Sequence, residues 1–175
     1  DNKYKVIKID RIIAGSMPPN TKVLGDPVIQ ISTCFIHYGA KTSYKKNIIV
    51  LDTCDRFADD VELIVCKTEK ELLQKWEKLI REENPDIITG YNILGFDFPY
   101  VFHRANELDI KINLSRFTDY ECVIKKKKTK TKIGLVDMDD IELPGRVRMD
   151  IMKLVETGYN LSSYKLDDVS SHFIQ

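Results

Sequence analysis

Residues 88–100 read ITGYNILGFDFPY, and this segment says more about the chain than any other stretch of similar length. The apolar residues before Gly90 predict the end of a buried strand that stops at a turn glycine. Asp97 followed by Pro99 predicts the start of a helix, with Asp97 near the N-cap. A carboxylate held among aromatic residues at such a junction is well placed to bind a hard cation such as Mg²⁺. An Asp-x-Pro sequence alone indicates only helix capping, so the wider sequence has to distinguish the two interpretations.

The flanking sequence predicts alternating strands and helices. Apolar patterns predict strands at 4–10, 28–38, 47–51, 61–66 and 86–89, with a loop over 14–26. Thr68 and Glu71 form a capping box at the start of a helix, and Trp76 lies on the apolar face of that helix, which predicts a core position. A second helix is expected over 99–108. This order predicts α/β layers on a mixed sheet.

The residues at the predicted junction also match a known motif. Their spacing, Tyr-Asn-x-x-x-Phe-Asp-x-Pro-Tyr, resembles the second exonuclease motif of family B DNA polymerases without departure, at Tyr91, Asn92, Phe96, Asp97, Pro99 and Tyr100. Three further segments resemble delta-type polymerases in the same order: GDPVIQIS at 25–32, GRVRMDI at 145–151 and SYKLDDVSSHF at 163–173. The resemblance therefore spans about residues 25–175.

The resemblance implies that residues 1–175 are a single domain, part of the 3′–5′ proofreading exonuclease domain of a longer replicative polymerase. It implies a ribonuclease H-like fold, with a mixed sheet flanked by helices, and hydrolysis of the primer 3′ end with two Mg²⁺ ions. Asp97 would be a catalytic metal ligand, and Asn92 would steady the loop or the primer terminus. Tyr91 would hold the turn, Phe96 and Phe98 would pack or stack, and all three are candidate contacts with DNA.

The family's first motif, Asp-x-Glu on the first strand, has only a partial counterpart. Asp10 is the nearest candidate metal ligand, but Ile12 stands where the glutamate would be. One interpretation is that the true motif precedes this chain and that residues 1–24 form an enlarged loop. The other is that residues 4–10 are the first strand and that the site is degenerate.

The third motif, Tyr-x-x-x-Asp, is matched literally by Tyr164 and Asp168, which makes Asp168 a candidate metal ligand. The surrounding residues also resemble a segment that delta-type polymerases place before their third motif. In that register Asp168 is not catalytic and the true motif lies beyond Gln175. Neither register supplies four carboxylates, so we expect the isolated chain to be inactive.

Six lysines fall within residues 125–132, and acidic residues follow at 137–142. A block of cations followed by a block of anions predicts an exposed β-hairpin or a loop. Because the run contains no apolar anchor, we expect a mobile loop. Its first lysines, Lys125, Lys126, Lys127 and Lys128, are candidates for contacts with DNA phosphates.

Composition limits the remaining choices. Lys+Arg and Asp+Glu both number 27, and this balance argues against a generally cationic nucleic-acid binder. The 4 cysteines are too widely spaced for a C-x-x-C pair and predict reduced thiols in an intracellular protein. No run reaches the ~18 apolar residues of a membrane span.

The resemblance implies a primer–template, the remainder of the polymerase and a sliding clamp as partners. It also implies a location in the nucleus or a viral replication compartment. A degenerate exonuclease fold, kept as a structural or DNA-guiding module, is the alternative function.

Overall fold

The computed structural model describes residues 5–14, 25–55, 58–131 and 134–174. Eight strands are described: β1 Lys5–Ala14, β2 Val28–His37, β3 Lys45–Leu51, β4 Glu62–Cys66, β5 Ile87–Gly90, β6 Ile124–Thr131, β7 Gly134–Ile141 and β8 Val147–Asp150. The helices in the described ranges are α1 Glu69–Glu83, α2 Phe98–Glu107, α3 Ile151–Gly158 and α4 Leu166–Phe173, and a π-helical turn covers Ile93–Asp97.

Six strands form one mixed sheet in the order β4-β3-β2-β1-β5-β8. β1 pairs antiparallel with β2 and parallel with β5, and β5 pairs parallel with β8. The carboxyl ends of β5 and β8 therefore lie at the same edge of the sheet, and β1 passes beside that edge. The predicted mixed α/β architecture is confirmed.

The core lies between the sheet and helices α1 and α2. Trp76, Leu72 and Ile80 from α1 are fully buried, which confirms the predicted apolar face. Thr68 caps α1 by accepting a hydrogen bond from the Glu71 N–H, 3.2 Å long. The Glu71 carboxylate reaches back to the start of the helix, where it accepts a hydrogen bond from the Lys67 N–H.

A buried ion cluster ties the two core helices to the beginning of β2. Arg104 on α2 pairs with Glu69 on α1 and with Glu107. Arg104 also donates to the carbonyl of Gly25 over 2.9 Å, and Glu69 accepts from the Val28 N–H over 2.8 Å. Buried charges are tolerated when they are paired and hydrogen-bonded in this way, so the cluster fixes how α2 lies on the sheet.

Residues 5–14 differ from the expectation of an enlarged loop over 1–24. They form β1, in the middle of the sheet between β2 and β5. The alternating pattern of residues 4–10 was therefore the better local guide, because a strand with neighbours on both sides satisfies its backbone hydrogen bonds. Residues 15–24, and with them most of the expected 14–26 loop, lie outside the described residues.

The lysine run is also different from the expected mobile loop. Residues 124–131 form β6, which pairs antiparallel with β7 as a two-stranded hairpin. Lys126 lies opposite Asp139, and the two side chains form an ion pair. The acidic block supplies cross-strand partners for the lysines, and opposite charges facing each other stabilise a pair of strands. The hairpin, one of the two structures that the charge blocks predicted, is the one that forms.

Candidate functional site

Three aspartates belong to the edge at which β5 and β8 end. Asp97 closes the π-helical turn that follows β5, and Asp150 is the last residue of β8. The backbone of Asp10 lies beside the same edge, since its neighbour Ile9 pairs with Gly90 at the end of β5. The side chain of Asp10 lies outside the described residues. The topology thus brings backbone positions from three parts of the sequence to one place.

The loop that carries Asp97 has an unusual backbone. Asn92 adopts a left-handed conformation with φ of 59°, and the N–H of Phe98 bonds to the carbonyl of Ile93, the spacing of a π-helix. A Cβ atom at Gly95 would overlap the side-chain amide oxygen of Asn92. Asn92 and Gly95 therefore act together, because the amide of Asn92 occupies the space that a larger residue at 95 would need. The left-handed backbone of Asn92 and the position of its amide are thus features of this loop.

Asp150 anchors this loop from the neighbouring strand. Its carboxylate accepts hydrogen bonds from the N–H groups of Asn92 at 2.9 Å and Leu94 at 3.0 Å. It also caps α3 by accepting from Met152 N–H at 3.0 Å. The sequence reasoning did not identify Asp150 as a site residue. The position of Asp150 between a strand and an amphipathic helix could have predicted that it caps the helix. The sequence offered no signal for its contact with a loop 58 residues away.

Asp97 itself is buried and does not stabilise the helix that it precedes. It occupies the predicted N-cap position of α2, with Pro99 in the first turn, but its side chain makes no capping hydrogen bond. Burial, with a smaller contribution from the negative charge of Asp150, raises the pKa of Asp97 to about 6 against the opposing effect of a hydrogen bond from its own backbone N–H. A buried carboxylate with no capping role is costly to ionise, and a bound cation would remove that cost.

The aromatic residues around Asp97 have different roles. Phe98 is fully buried, so it packs in the core and does not offer a surface for DNA, which corrects its place among the candidate DNA contacts. Phe96 is 43% exposed and lies against Tyr100 with ring centres 5.4 Å apart. The hydroxyl of Tyr91 donates to the carbonyl of Tyr164, so Tyr91 links the loop to the segment before α4. Phe96 is the aromatic residue of this group with the most accessible ring.

Asp168 is exposed in the first turn of α4. Burial raises the pKa of Tyr91, and the negative charges of Glu156, Asp150 and Asp168 act in the same direction. Because Asp168 is close enough to contribute, α4 lies on the same side of the molecule as the loop that carries Tyr91. No three acidic, histidine or cysteine side chains in the described ranges are grouped closely enough to hold a metal ion. Asp97 and Asp168 thus belong to no such group among the described side chains, and the side chain of Asp10 lies outside them.

The β6–β7 hairpin contacts α2, the helix that begins at Asp97. His103 Nε2 lies 2.7 Å from Asp139 Oδ2, and Lys126 pairs with the same carboxylate. Although burial acts in the opposite direction, Lys126 and His103 hold the pKa of Asp139 below its ordinary value. The lysine side chains from Lys125 to Lys128 are exposed. The hairpin thus presents cations next to the helix of the candidate site.

Within the described part of the chain, no helix has the length and apolar character required to cross a membrane.

Comparison with known proteins adds the family context. Residues 2–169 match the family described as the exonuclease domain of DNA polymerase family B. The DNA polymerase of Pyramimonas orientalis virus is 42% identical over 173 residues, covering 97% of this chain and 14% of that protein. The DNA polymerase delta catalytic subunit of Dictyostelium discoideum is 33% identical over 175 residues, covering 98% of this chain and 16% of that protein. The chain therefore spans less than a fifth of the length of these relatives.

Proposed function

The chain belongs to the exonuclease-domain family of family B DNA polymerases, and from this membership we propose that it removes nucleotides from primer 3′ ends within a longer replicative polymerase. The reaction is 3′–5′ phosphodiester hydrolysis, and its biological role is proofreading. The sheet order, with β1 between an antiparallel and a parallel neighbour, supports a ribonuclease H-like fold for this domain.

The observation that carries the proposal is the state of Asp97. This carboxylate is buried, has no capping role and lies in a loop that Asp150 holds by two backbone hydrogen bonds. A structural aspartate at an N-cap would bond the N–H groups of the first turn. Asp97 keeps its carboxylate available, which is what a metal ligand in a preorganised site requires.

The described residues supply part of the set of oxygen ligands that Mg²⁺ requires. Asp97 would hold the metal, whereas N–H groups of the loop and of α3 already take three of the four acceptor positions of Asp150. Asp10, whose backbone lies beside the same edge, would be a second ligand, and Asp168 or an aspartate from the rest of the polymerase would complete the set. When bound, paired Mg²⁺ ions supply an activated water and stabilise the leaving 3′-oxygen. Phe96 would contact the terminal base, and the hairpin lysines would contact phosphates.

One observation favours the alternative function. β1 occupies the middle of the sheet, which is where the first motif belongs in the resemblance, and its sequence there is Asp10-Arg11-Ile12. An aliphatic residue at the glutamate position removes one oxygen ligand, and Mg²⁺ binds poorly to an incomplete set. In this alternative the domain guides DNA or supports the polymerase fold without hydrolysis.

The two functions are separated by assaying the longer polymerase that contains residues 1–175. A primer with a mismatched 3′ end and Mg²⁺ is the substrate, and the isolated 175-residue chain is expected to leave it intact. For an active domain, Asp97→Ala reduces excision at least about 100-fold, equivalent to about 2.7 kcal/mol in the barrier, while polymerisation is nearly unchanged. Asp119→Ala, in an exposed turn, is the control.

The degenerate alternative gives the opposite pattern. The unmodified polymerase then has no excision for Asp97→Ala to remove, and Ile12→Glu raises excision above background. Equal excision by the unmodified enzyme and Asp97→Ala would exclude Asp97 from the reaction.

A further inference from the structure

A cavity lies away from the candidate site, near the amino-terminal ends of β5 and β8. Its volume is about 350 Å³, and its lining residues are Arg81, Asn84, Ser115, Arg116, Phe117, Thr118 and Arg146. Three of these residues are arginines and none is acidic. The cavity and Asp97 lie at opposite ends of β5, so the length of a four-residue strand, about 13 Å, separates the two sites.

Arg146 brings to this cavity a positive charge that no carboxylate of the described residues pairs with directly. Its Nε donates to the carbonyl of Leu114 over 2.7 Å, and its Nη1 donates to Asn84 Oδ1 over 3.1 Å and to the carbonyl of Pro85. All three acceptors are neutral. Burial and the neighbouring Arg116 lower the pKa of Arg146 to about 10, against the opposing effect of Asp86. The guanidinium still carries its charge at neutral pH.

The other two arginines add to the positive charge. Arg116 pairs with Asp86 through Nη2 and donates to Asn84 through Nε and Nη2. The nearest described partner of Arg81 is Glu77, at 3.9 Å, and the Arg81 side chain is 46% exposed. Three arginines thus line the cavity, and among the described residues only Asp86, on Arg116, is a carboxylate paired with one of them more closely than the 3.9 Å of Glu77 and Arg81.

The arrangement leaves donors for a ligand. None of the described residues accepts a hydrogen bond from Nη1 of Arg116 or from Nη2 of Arg146. Guanidinium groups match the oxygens of phosphate with parallel N–H donors, and they remain charged over the whole physiological range. The cavity therefore has the charge and the donor geometry for an oxyanion.

An aromatic side chain at the same cavity favours a ligand that carries a ring as well as an anionic group. Phe117 is 57% exposed, although large aromatic side chains usually bury most of their surface. Bases stack on exposed aromatic rings, and proteins that bind single strands combine such rings with a positively charged surface. A ring and three arginines within one cavity match a nucleotide better than they match a free inorganic anion.

We propose that this cavity binds a nucleotide of single-stranded nucleic acid, with its phosphate among Arg81, Arg116 and Arg146 and its base on Phe117. The inference does not depend on the hydrolytic reaction at Asp97. It gives the domain a second contact with a strand, separate from the primer terminus, that is selective for phosphate charge and for a stacked base without a requirement for sequence.

Backbone amide NMR of the 175-residue chain tests this binding with two probes. One probe is a thymidine hexanucleotide, and the other is an abasic hexamer with the same phosphates. We expect both probes to shift the amide signals of residues 84 and 115–118, with the thymidine probe bound more tightly. Phe117→Ala should weaken thymidine binding about 5- to 150-fold, the range for loss of one stacked base, without changing abasic binding.

Arg81→Ala should weaken the binding of both probes. It should not make the binding of either probe more dependent on salt concentration. Lys78→Ala, on the same helix with a 73% exposed side chain, is the matched control and should have no effect. Signal changes confined to β6 or to residues 91–97 would overturn the proposal, as would thymidine binding that is insensitive to Phe117→Ala.

A parallel experiment uses the longer polymerase and does not depend on the isolated chain folding. A single-stranded oligonucleotide with 5-bromodeoxyuridine is cross-linked by light, and the modified peptides are identified by mass spectrometry. We expect a cross-link within residues 115–118 that is lost in Phe117→Ala and retained in Asp97→Ala. Cross-links that never include residues 115–118 would overturn the proposal.

Discussion

Asp150 holds Asn92 in place by accepting its backbone N–H over 2.9 Å, from a strand that lies 58 residues later in the sequence. The same carboxylate accepts from Leu94 N–H and caps α3 at Met152. One buried side chain therefore connects the end of β8, the start of α3 and the loop that carries Asp97. The position of the candidate catalytic carboxylate depends on this connection.

Asp150→Asn should destabilise the domain and loosen the Asp97 loop. The asparagine amide keeps one acceptor oxygen, but its NH₂ group would point at a backbone N–H that the carboxylate now accepts. A buried N–H that loses its acceptor costs about 1–3 kcal/mol. Urea denaturation measures the change in the free energy of unfolding, and excision by the longer polymerase measures the effect on the loop. Asp167→Asn, which removes the same charge from an exposed position on α4, is the control and should change neither quantity. Unchanged stability in Asp150→Asn would contradict the anchoring role.

Asp97→Asn should stabilise the metal-free domain at neutral pH. The folded-state pKa of Asp97 is about 6, above its ordinary value of 3.8, so the folded state holds a proton that the unfolded state has released. The free energy of unfolding therefore falls as pH rises from about 4 through 6, by about 3 kcal/mol in total. The asparagine variant avoids this loss.

Denaturation in EDTA at a series of pH values measures the difference. We expect the variant to be more stable by up to about 3 kcal/mol at pH 7.5, and the difference to disappear near pH 4. Asp119→Asn, at an exposed turn, is the control. Parallel pH profiles for the unmodified chain and Asp97→Asn would show that the carboxylate ionises freely.

Gly95→Ala should disturb the loop because its Cβ would overlap the amide of Asn92. Overpacking of this kind costs about 1–3 kcal/mol. Replacing Asn92 with glycine removes the amide and tolerates the left-handed φ of 59°. The double variant should therefore recover part of the stability lost in Gly95→Ala, and a double-mutant cycle measures the coupling. Additive effects would mean that the two residues act independently.

Neighbouring lysines on β6 should contribute differently to DNA binding. Lys126 is already paired with Asp139, whereas Lys127 lies opposite the uncharged Met138. If the hairpin contacts phosphates, Lys127→Ser in the longer polymerase should reduce the slope of log affinity against log salt by about 0.9, and Lys126→Ser should reduce it less. Fluorescence anisotropy measures these slopes over about 50–200 mM salt, a range in which affinity that depends on phosphate contacts changes strongly. Equal changes in both variants would contradict the effect of the Lys126–Asp139 pair, and a change in which base is excised would count against non-specific phosphate contacts.

The sequence by itself was sufficient for features that depend on neighbours along the chain. The apolar face of α1, its Thr68 cap, the strand before Gly90 and the N-cap position of Asp97 follow from local periodicity and backbone preference. The motif around Asp97 was sufficient to indicate the family. These signals are readable because each depends on residues within a few positions of one another.

Only the tertiary structure decided features that depend on which segments meet. The Asp150 anchor, the place of β1 in the middle of the sheet and the pairing of the lysine strand with the acidic strand join distant parts of the sequence. The motif also could not separate Phe98, which is buried, from Phe96, which is exposed, because both flank Asp97. Burial and long-range hydrogen bonds arise from strand pairing and helix packing, and the same local pattern is compatible with several such arrangements.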